Sequence, residues 1–249
     1  MIELTVVEDA EAAARTCARR IAAAIETARA ERGVAHVALC GGETPGRMYE
    51  LLPDHVDVWR DVHLWFGDER CVPLDDADSN HRLVAHTLLA QLHAGAAPPV
   101  VHPVAGAGDG DPPAAAAAYE ADLLAHVPPA AATPATAAPL PVLDVALQGI
   151  GPDGHTASLF PDDPALAERE RLVVAVLHAR KPPPERVTMT LPLLRAARSL
   201  VLLVAGAGKA DAVAATLAGP SPHVPASLLG EGARVELIAD RAAAAAVAR

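Results

Sequence analysis

Short runs of branched aliphatic residues, nearly free of polar interruption, alternate along this chain with longer alanine-rich stretches. Runs of that kind suit strands buried on both faces, which occur mainly in parallel sheets whose crossovers are helices. "IELTVV", "HVALC", "VHLWFG", "VLDVALQGI", "LVVAVL", "VTMTL", "SLVLLVAG" and "RVELIAD" read as the strands. After the first, Asp9 to Arg32 carries an apolar stripe through Ala14, Cys17, Ile21, Ile25 and Ala28 at helical spacing. A short helix is expected through Met48, Leu51 and Leu52, another over "GKADAVAATL", and a final one after "RVELIAD". The fold class expected is α/β, with a largely parallel sheet covered by helices on both faces.

Two stretches interrupt the alternation. Residues 105–118 form a glycine- and proline-rich entry to a helix reaching about His126, and 127–141 is a low-complexity connection expected to be flexible. Strands on both sides of 127–141 look like members of one sheet, so residues 1–249 are read as a single domain. Aromatic residues make up only 2% of the chain, which points to helices packed closely through alanine.

The formal charge of −11 argues against a nucleic-acid partner, because phosphate backbones require a basic face. It leaves room for a small phosphorylated ligand, which needs only a few local cations. Cys17, Cys40 and Cys71 lie far apart, without a CxxC pair, and read as buried thiols in a reducing compartment. The acidic opening "MIELTVVEDAEAAAR" lacks the plan of a secretory signal, and no apolar run has the length of a membrane span. A cytoplasmic protein without a membrane partner is the expectation.

In parallel sheets, ligands lie beyond the carboxyl ends of the strands. Four turns rich in glycine or charge fall at such ends: "CGGETPGR", "FGDERCVP", "GIGPDGHTAS" and "AGAGK". In the first, Gly41 and Gly42 let backbone N–H groups approach an anion, and Thr44 is placed to cap a helix that Pro45 opens. The same residues also describe an ordinary capped turn. They form neither GxGxxG nor a Walker sequence, which disfavours a nucleotide.

In "GDER", Arg70 is suited to clamping a phosphate or carboxylate, while Asp68 and Glu69 either join the site or hold Arg70 in a salt bridge. Ser79 or Asn80 is placed to cap the following helix. The third turn carries the sharpest signal. His155 is a candidate base for activating water, Asp153 its orienter, and Gly151 and Gly154 give the tight backbone beside the ring. A histidine that merely fills a turn is the other reading, and the flanking glycines disfavour it. The remaining histidines, such as His36 and His102, read as structural or exposed. Lys209 could neutralise a phosphate as a point charge or stand as a solvated surface lysine, and Arg186 could supply a second cation. No His, Cys and carboxylate set has metal-ligand spacing, and no G-x-S-x-G elbow is present.

"CGGETPGRMYELL", "WFGDERCVPLDDADSNHR", "DVALQGIGPDGHTASLFP", "RVTMTLPLL" and "AGAGK" occur in that order, and together they resemble the 6-phosphogluconolactonase family from about Val34 to Lys209. The resemblance implies a Rossmann-like domain of the kind shared with glucosamine/galactosamine-6-phosphate isomerases and deaminases. It implies hydrolysis of 6-phospho-D-glucono-1,5-lactone to 6-phosphogluconate, the second step of the oxidative pentose phosphate pathway, without cofactor or metal. His155 would then be the base, with Asp153 holding it. Arg70 and Lys209 would carry the substrate's charges, with Arg186 assisting. Gly41, Gly42, Thr44, Asp68, Glu69, Gly151, Gly154 and Thr156 would line the substrate site.

One residue departs from the pattern: Glu43 stands where related sequences commonly have serine, so it either points away from a phosphate or the loop contacts hydroxyls. The nearest rival, glucosamine-6-phosphate deaminase, has "DEY" and "GHIAFNEP" where this chain has "DER" and "GHTASLFP". A non-catalytic sugar-phosphate sensor is a reading of another class. Such proteins usually carry an attached DNA-binding segment, and none is expected in an acidic chain whose sheet starts at residue 2. The expected partner is a phosphorylated sugar lactone, and the expected state a monomer or weak homo-oligomer.

Overall fold

The computed structural model describes residues 1–92, 97–129 and 140–247. Its strands are β1 (Ile2–Val7), β2 (Ala35–Leu39), β3 (Val62–Phe66), β4 (Asp68–Arg70), β5 (Val100–Val101), β6 (Val145–Gln148), β7 (Val173–Val176), β8 (Arg186–Met189), β9 (Ser199–Val204) and β10 (Val235–Asp240). Its helices are α1 (Ala10–Arg32), α2 (Glu43–Leu51), α3 (Asn80–Thr87), α4 (Pro112–His126), α5 (Leu191–Arg195), α6 (Ala210–Leu217) and α7 (Pro225–Leu228).

Seven strands form one sheet in the order β1-β10-β9-β6-β2-β3-β5, and every pairing in it is parallel. The apolar runs explain this directly: β2 and β6 are buried along their whole length, as strands sandwiched between helices must be. From β2 the chain builds outward through β3 to β5, then returns to β6 and builds the other way. The order therefore reverses between β2 and β6, the place where an open parallel sheet leaves a crevice.

The start and stop signals of the first helix work as their chemistry predicts. The Asp9 carboxylate accepts from Ala12 N at 2.8 Å, and Gly33, at φ 78°, closes the other end by donating to Arg29 O. Ala13, Ala14, Cys17, Ala18, Ile21, Ala22, Ile25 and Ala28 form its buried face. Small side chains there let α1 lie close against β9, β10 and β2. Among the described residues, no helix is long and apolar enough to cross a membrane.

Three features differ from the sequence reading. "LVVAVL" and "VTMTL" form no part of the parallel sheet; β7 and β8 pair antiparallel with each other, and β8 with β4, in a separate sheet ordered β4-β8-β7. Periodicity reports burial, not the direction of a partner. The stretch after β10 makes a series of turns through residue 247 in place of a helix. Cys71 is only partly buried, whereas Cys17 and Cys40 are buried. Most of the 127–141 connection lies outside the described residues, and its ends meet, with Pro129 bridging Pro141.

Candidate active site

The four suspected turns come after β2, β3, β6 and β9, which are contiguous in the sheet, so they converge at one end of its centre. A pocket of about 270 Å³ opens there. Gly41, Gly42, Asp68, Arg70, Gly151, His155, Arg186 and Lys209 line it, all named from sequence.

His155 is held by its own turn. Its carbonyl accepts from Gly151 N at 2.8 Å, and Gly154, at φ 81°, reverses the chain. A Cβ on Gly151 would fall 2.0 Å from His155 Nδ1, so only glycine permits the imidazole to lie over that backbone. Nδ1 and Asp153 Oδ1 are 2.5 Å apart, and the ring rests against Phe160 at 4.8 Å between centroids. Asp153 thus occupies the nitrogen behind the ring and leaves Nε2 for a ligand. Burial pushes the imidazole below its ordinary pKa, and the Asp153 hydrogen bond and charge offset this only in part. Burial thus favours the neutral form of the ring. Burial works against the Asp153 carboxylate, yet the His155 contact and Lys181 hold it below its usual range.

Cations surround the rest of the pocket. Arg186, only 4% exposed, is fixed by donating to the carbonyls of Lys181, Pro182 and Pro183. Its guanidinium lies 5.6 Å from the Phe160 ring centroid. Lys209 Nζ donates to Ile150 O at 2.7 Å, and burial followed by Lys181 pushes its pKa down. Arg70 donates to Asp78 O, while its Nε is buried without a partner. With Lys181, these make four cations against one lining carboxylate, Asp68, among the described residues. In a chain of net charge −11, that local excess selects for an anion.

Asp68 is committed to the protein. It accepts from Ser158 Oγ at 2.6 Å and lies 4.0 Å from Arg186 Nη1. The Asn80 amide donates to the Asp68 carbonyl at 2.8 Å, and its oxygen occupies the space where a Gly41 Cβ would stand, at 2.1 Å. Gly41 is thus small because Asn80 ties the first turn to the second.

Several predicted residues serve elsewhere. Glu69 is wholly buried and does not reach the pocket. Its carboxylate accepts from the backbone N–H groups of Arg70, Asn80 and His81, each at 2.8 Å, and from Ser79 Oγ at 3.1 Å. Burial pushes its pKa up, and these three N–H donors counter that. Glu69 therefore anchors the first turn of α3, whose N-cap is Ser79. Thr44 neither caps α2 nor lines the pocket, because the helix already begins at Glu43, behind Gly42. Glu43 itself is exposed and does not line the pocket. Gly154 shapes the turn and abuts Val224. Thr156 is buried, bridging Leu159 through its backbone.

Sequence reasoning missed Cys40, Gly149, Ile150, Ala157, Lys181 and Pro182 on the pocket wall. Ser158, behind it, was also missed. Lys181 and Pro182 belong to the segment joining β7 to β8, which reaches the pocket only because those strands form an antiparallel pair. Away from the pocket, the fold also gathers His102, Asp122 and His126, a metal-capable set invisible as a sequence spacing.

The chain is similar to known proteins over most of its length. The family described as glucosamine-6-phosphate isomerases/6-phosphogluconolactonase matches residues 8–238. A 6-phosphogluconolactonase of Mycobacterium tuberculosis is 43% identical over 225 residues, covering 88% of this chain and 87% of that protein. One from Streptomyces coelicolor is 40% identical over 257 residues, covering 99% and 95%. The structure of 6-phosphogluconolactonase from Trypanosoma brucei superposes with a TM-score of 0.85 at 28% identity, covering 98% of each chain.

Proposed function

The chain belongs to the glucosamine-6-phosphate isomerase/6-phosphogluconolactonase family, and we propose that it hydrolyses 6-phospho-D-glucono-1,5-lactone to 6-phosphogluconate. The observation that carries this reading is His155, its Nδ1 held by Asp153, on the wall of a pocket with four cations. Lactone hydrolysis needs a base for water, donors for the oxyanion forming on the carbonyl, and an anchor for the phosphate.

Water, deprotonated by His155 Nε2, attacks the lactone carbonyl carbon. The tetrahedral intermediate then collapses, the ring C–O bond breaks, and the imidazolium returns the proton to the departing ring oxygen. Arg70, Lys181, Arg186 and Lys209 share the phosphate and the developing oxyanion between them. The Gly41–Gly42 backbone lines the sugar side. A δ-lactone is already reactive, so one base and fixed charges suffice, and no covalent nucleophile is required. The reading carries with it a cytoplasmic enzyme that acts as a monomer or weak homo-oligomer.

Freshly generated lactone should disappear above its spontaneous rate with the wild type, and His155→Ala should lower kcat/KM by roughly 10²–10⁴-fold. A wild type no faster than the blank, but releasing ammonia from glucosamine 6-phosphate, would assign deaminase chemistry instead.

A further inference from the structure

A second cluster of titratable groups lies where α4 meets the β3–β5 edge of the sheet. His63 stands on β3, His102 comes directly after β5, and Asp122 and His126 share one face of α4 at i, i+4. Asp122 Oδ2 is 2.8 Å from His102 Nδ1, and Asp122 Oδ1 is 2.9 Å from His126 Nδ1. The donor atoms of the three side chains all lie within 4.8 Å of one another. None of the three lines the pocket at the strand ends.

We propose that His102, Asp122 and His126 form a binding site for a divalent transition-metal ion of the zinc type, which clamps α4 to the sheet edge. Two imidazole nitrogens and one carboxylate oxygen are a donor set for zinc-like ions, whereas magnesium and calcium prefer oxygen alone. The two Asp122–histidine separations are hydrogen-bond lengths, while the set of three donors spans up to 4.8 Å. An ion about 2.0–2.2 Å from each donor needs the two hydrogen-bonded pairs to open slightly and the three donors to gather around it. Asp122 and His126 have that freedom, since their side chains are 35% and 46% exposed. Water completes the coordination from the open side.

His102, the buried member, is oriented in advance. Its ring stacks on Trp65 with centroids 3.7 Å apart and planes 8° from parallel. The Trp65 indole N–H in turn donates to His36 Nδ1 at 3.2 Å. His102 Nε2 is 2.9 Å from His63 Nδ1. With an ion on Nδ1, the ring proton sits on Nε2 and is donated to His63, the outer contact that fixes a ligating histidine. Without an ion, the same ring instead donates from Nδ1 to Asp122 and accepts from His63. Both tautomers are satisfied, so the His102 ring keeps its hydrogen bonds whether the site is empty or filled.

The test uses tag-free, chelator-treated protein titrated with Zn²⁺ by calorimetry, with thermal unfolding followed in parallel. The wild type should bind about one equivalent with a Kd near the micromolar range, and its Tm should rise with Zn²⁺. Ni²⁺, which quenches indole emission at short range, should dim Trp65 saturably. His126→Ala and Asp122→Asn should each weaken binding by about tenfold or more and abolish the quench, with lactonase activity unchanged. Because both changed residues are partly exposed, the variants provide two independent chances of a folded protein. Absence of Zn²⁺ uptake by the wild type up to about 1 mM would overturn the proposal. Undiminished binding in either folded variant would do so too, because the ion would then sit on other histidines.

Discussion

His155 has two ring nitrogens, and the turn gives them different tasks. Asp153 occupies Nδ1, so the proton resides there and Nε2 keeps its lone pair. In the proposed mechanism, activity requires this neutral form. Because burial pushes the ring's pKa below its ordinary value, kcat/KM should stay high through neutral pH and fall only in acid, with a midpoint below that of a free imidazole. The Asp153 carboxylate is the main influence raising that pKa. Asp153→Asn should therefore move the acid limb to still lower pH, and the plateau should also fall, since the tautomer is no longer enforced. A pH–rate profile of both proteins measures this. A limb that moves upward would mean that Asp153 does not act through the imidazole. The contact of His155 with Asp153 was legible in sequence because the two sit two residues apart in one glycine-flanked turn, so no tertiary information was needed to join them.

At the scale of elements, the turns depend on a charge that lies outside the pocket. Glu69 brings the N-terminus of α3 to β4, and α3 in turn presses Asn80 against Gly41. Glu69→Gln keeps the shape but removes the charge and one accepting oxygen. Its amide group would then face backbone donors, and each orphaned N–H costs about 1–3 kcal/mol. Urea unfolding should show a loss of that order, together with weaker 6-phosphogluconate binding through the displaced Gly41 turn. An unchanged midpoint would show that the α3 anchor lies elsewhere. The sequence placed Glu69 in the pocket because it stands between two residues that are there. In a strand, alternate side chains face opposite ways, so Asp68 and Arg70 point to one side and Glu69 to the other. Lys181 escaped for the opposite reason: its place depends on the antiparallel pairing of β7 with β8, which hydrophobic runs do not announce. Lys181→Ala should raise KM for the phosphorylated lactone, and a KM equal to the wild type's would remove it from the ligand's surroundings.

At the scale of the molecule, stability and chemistry occupy different places. The parallel strands and α1 hold the aliphatic core, while the pocket is assembled from the turns beyond β2, β3, β6 and β9. That division is why the four turns could be read as one site before their strands were ordered: in a parallel sheet every strand presents the same end to the same side. It also separates two kinds of damage. Leu202 is fully buried on β9, level with Gln148 on β6 and Leu237 on β10. Leu202→Ala should cost about 2–5 kcal/mol through lost burial and the cavity left behind. Because it removes no group from the pocket wall, kcat/KM of the folded fraction should stay within about twofold of wild type. Denaturant unfolding set beside initial rates makes the comparison. A collapse of kcat/KM at full folding would mean that the strand ends shift when the core gives way, and that the turns are held by packing as much as by their own hydrogen bonds.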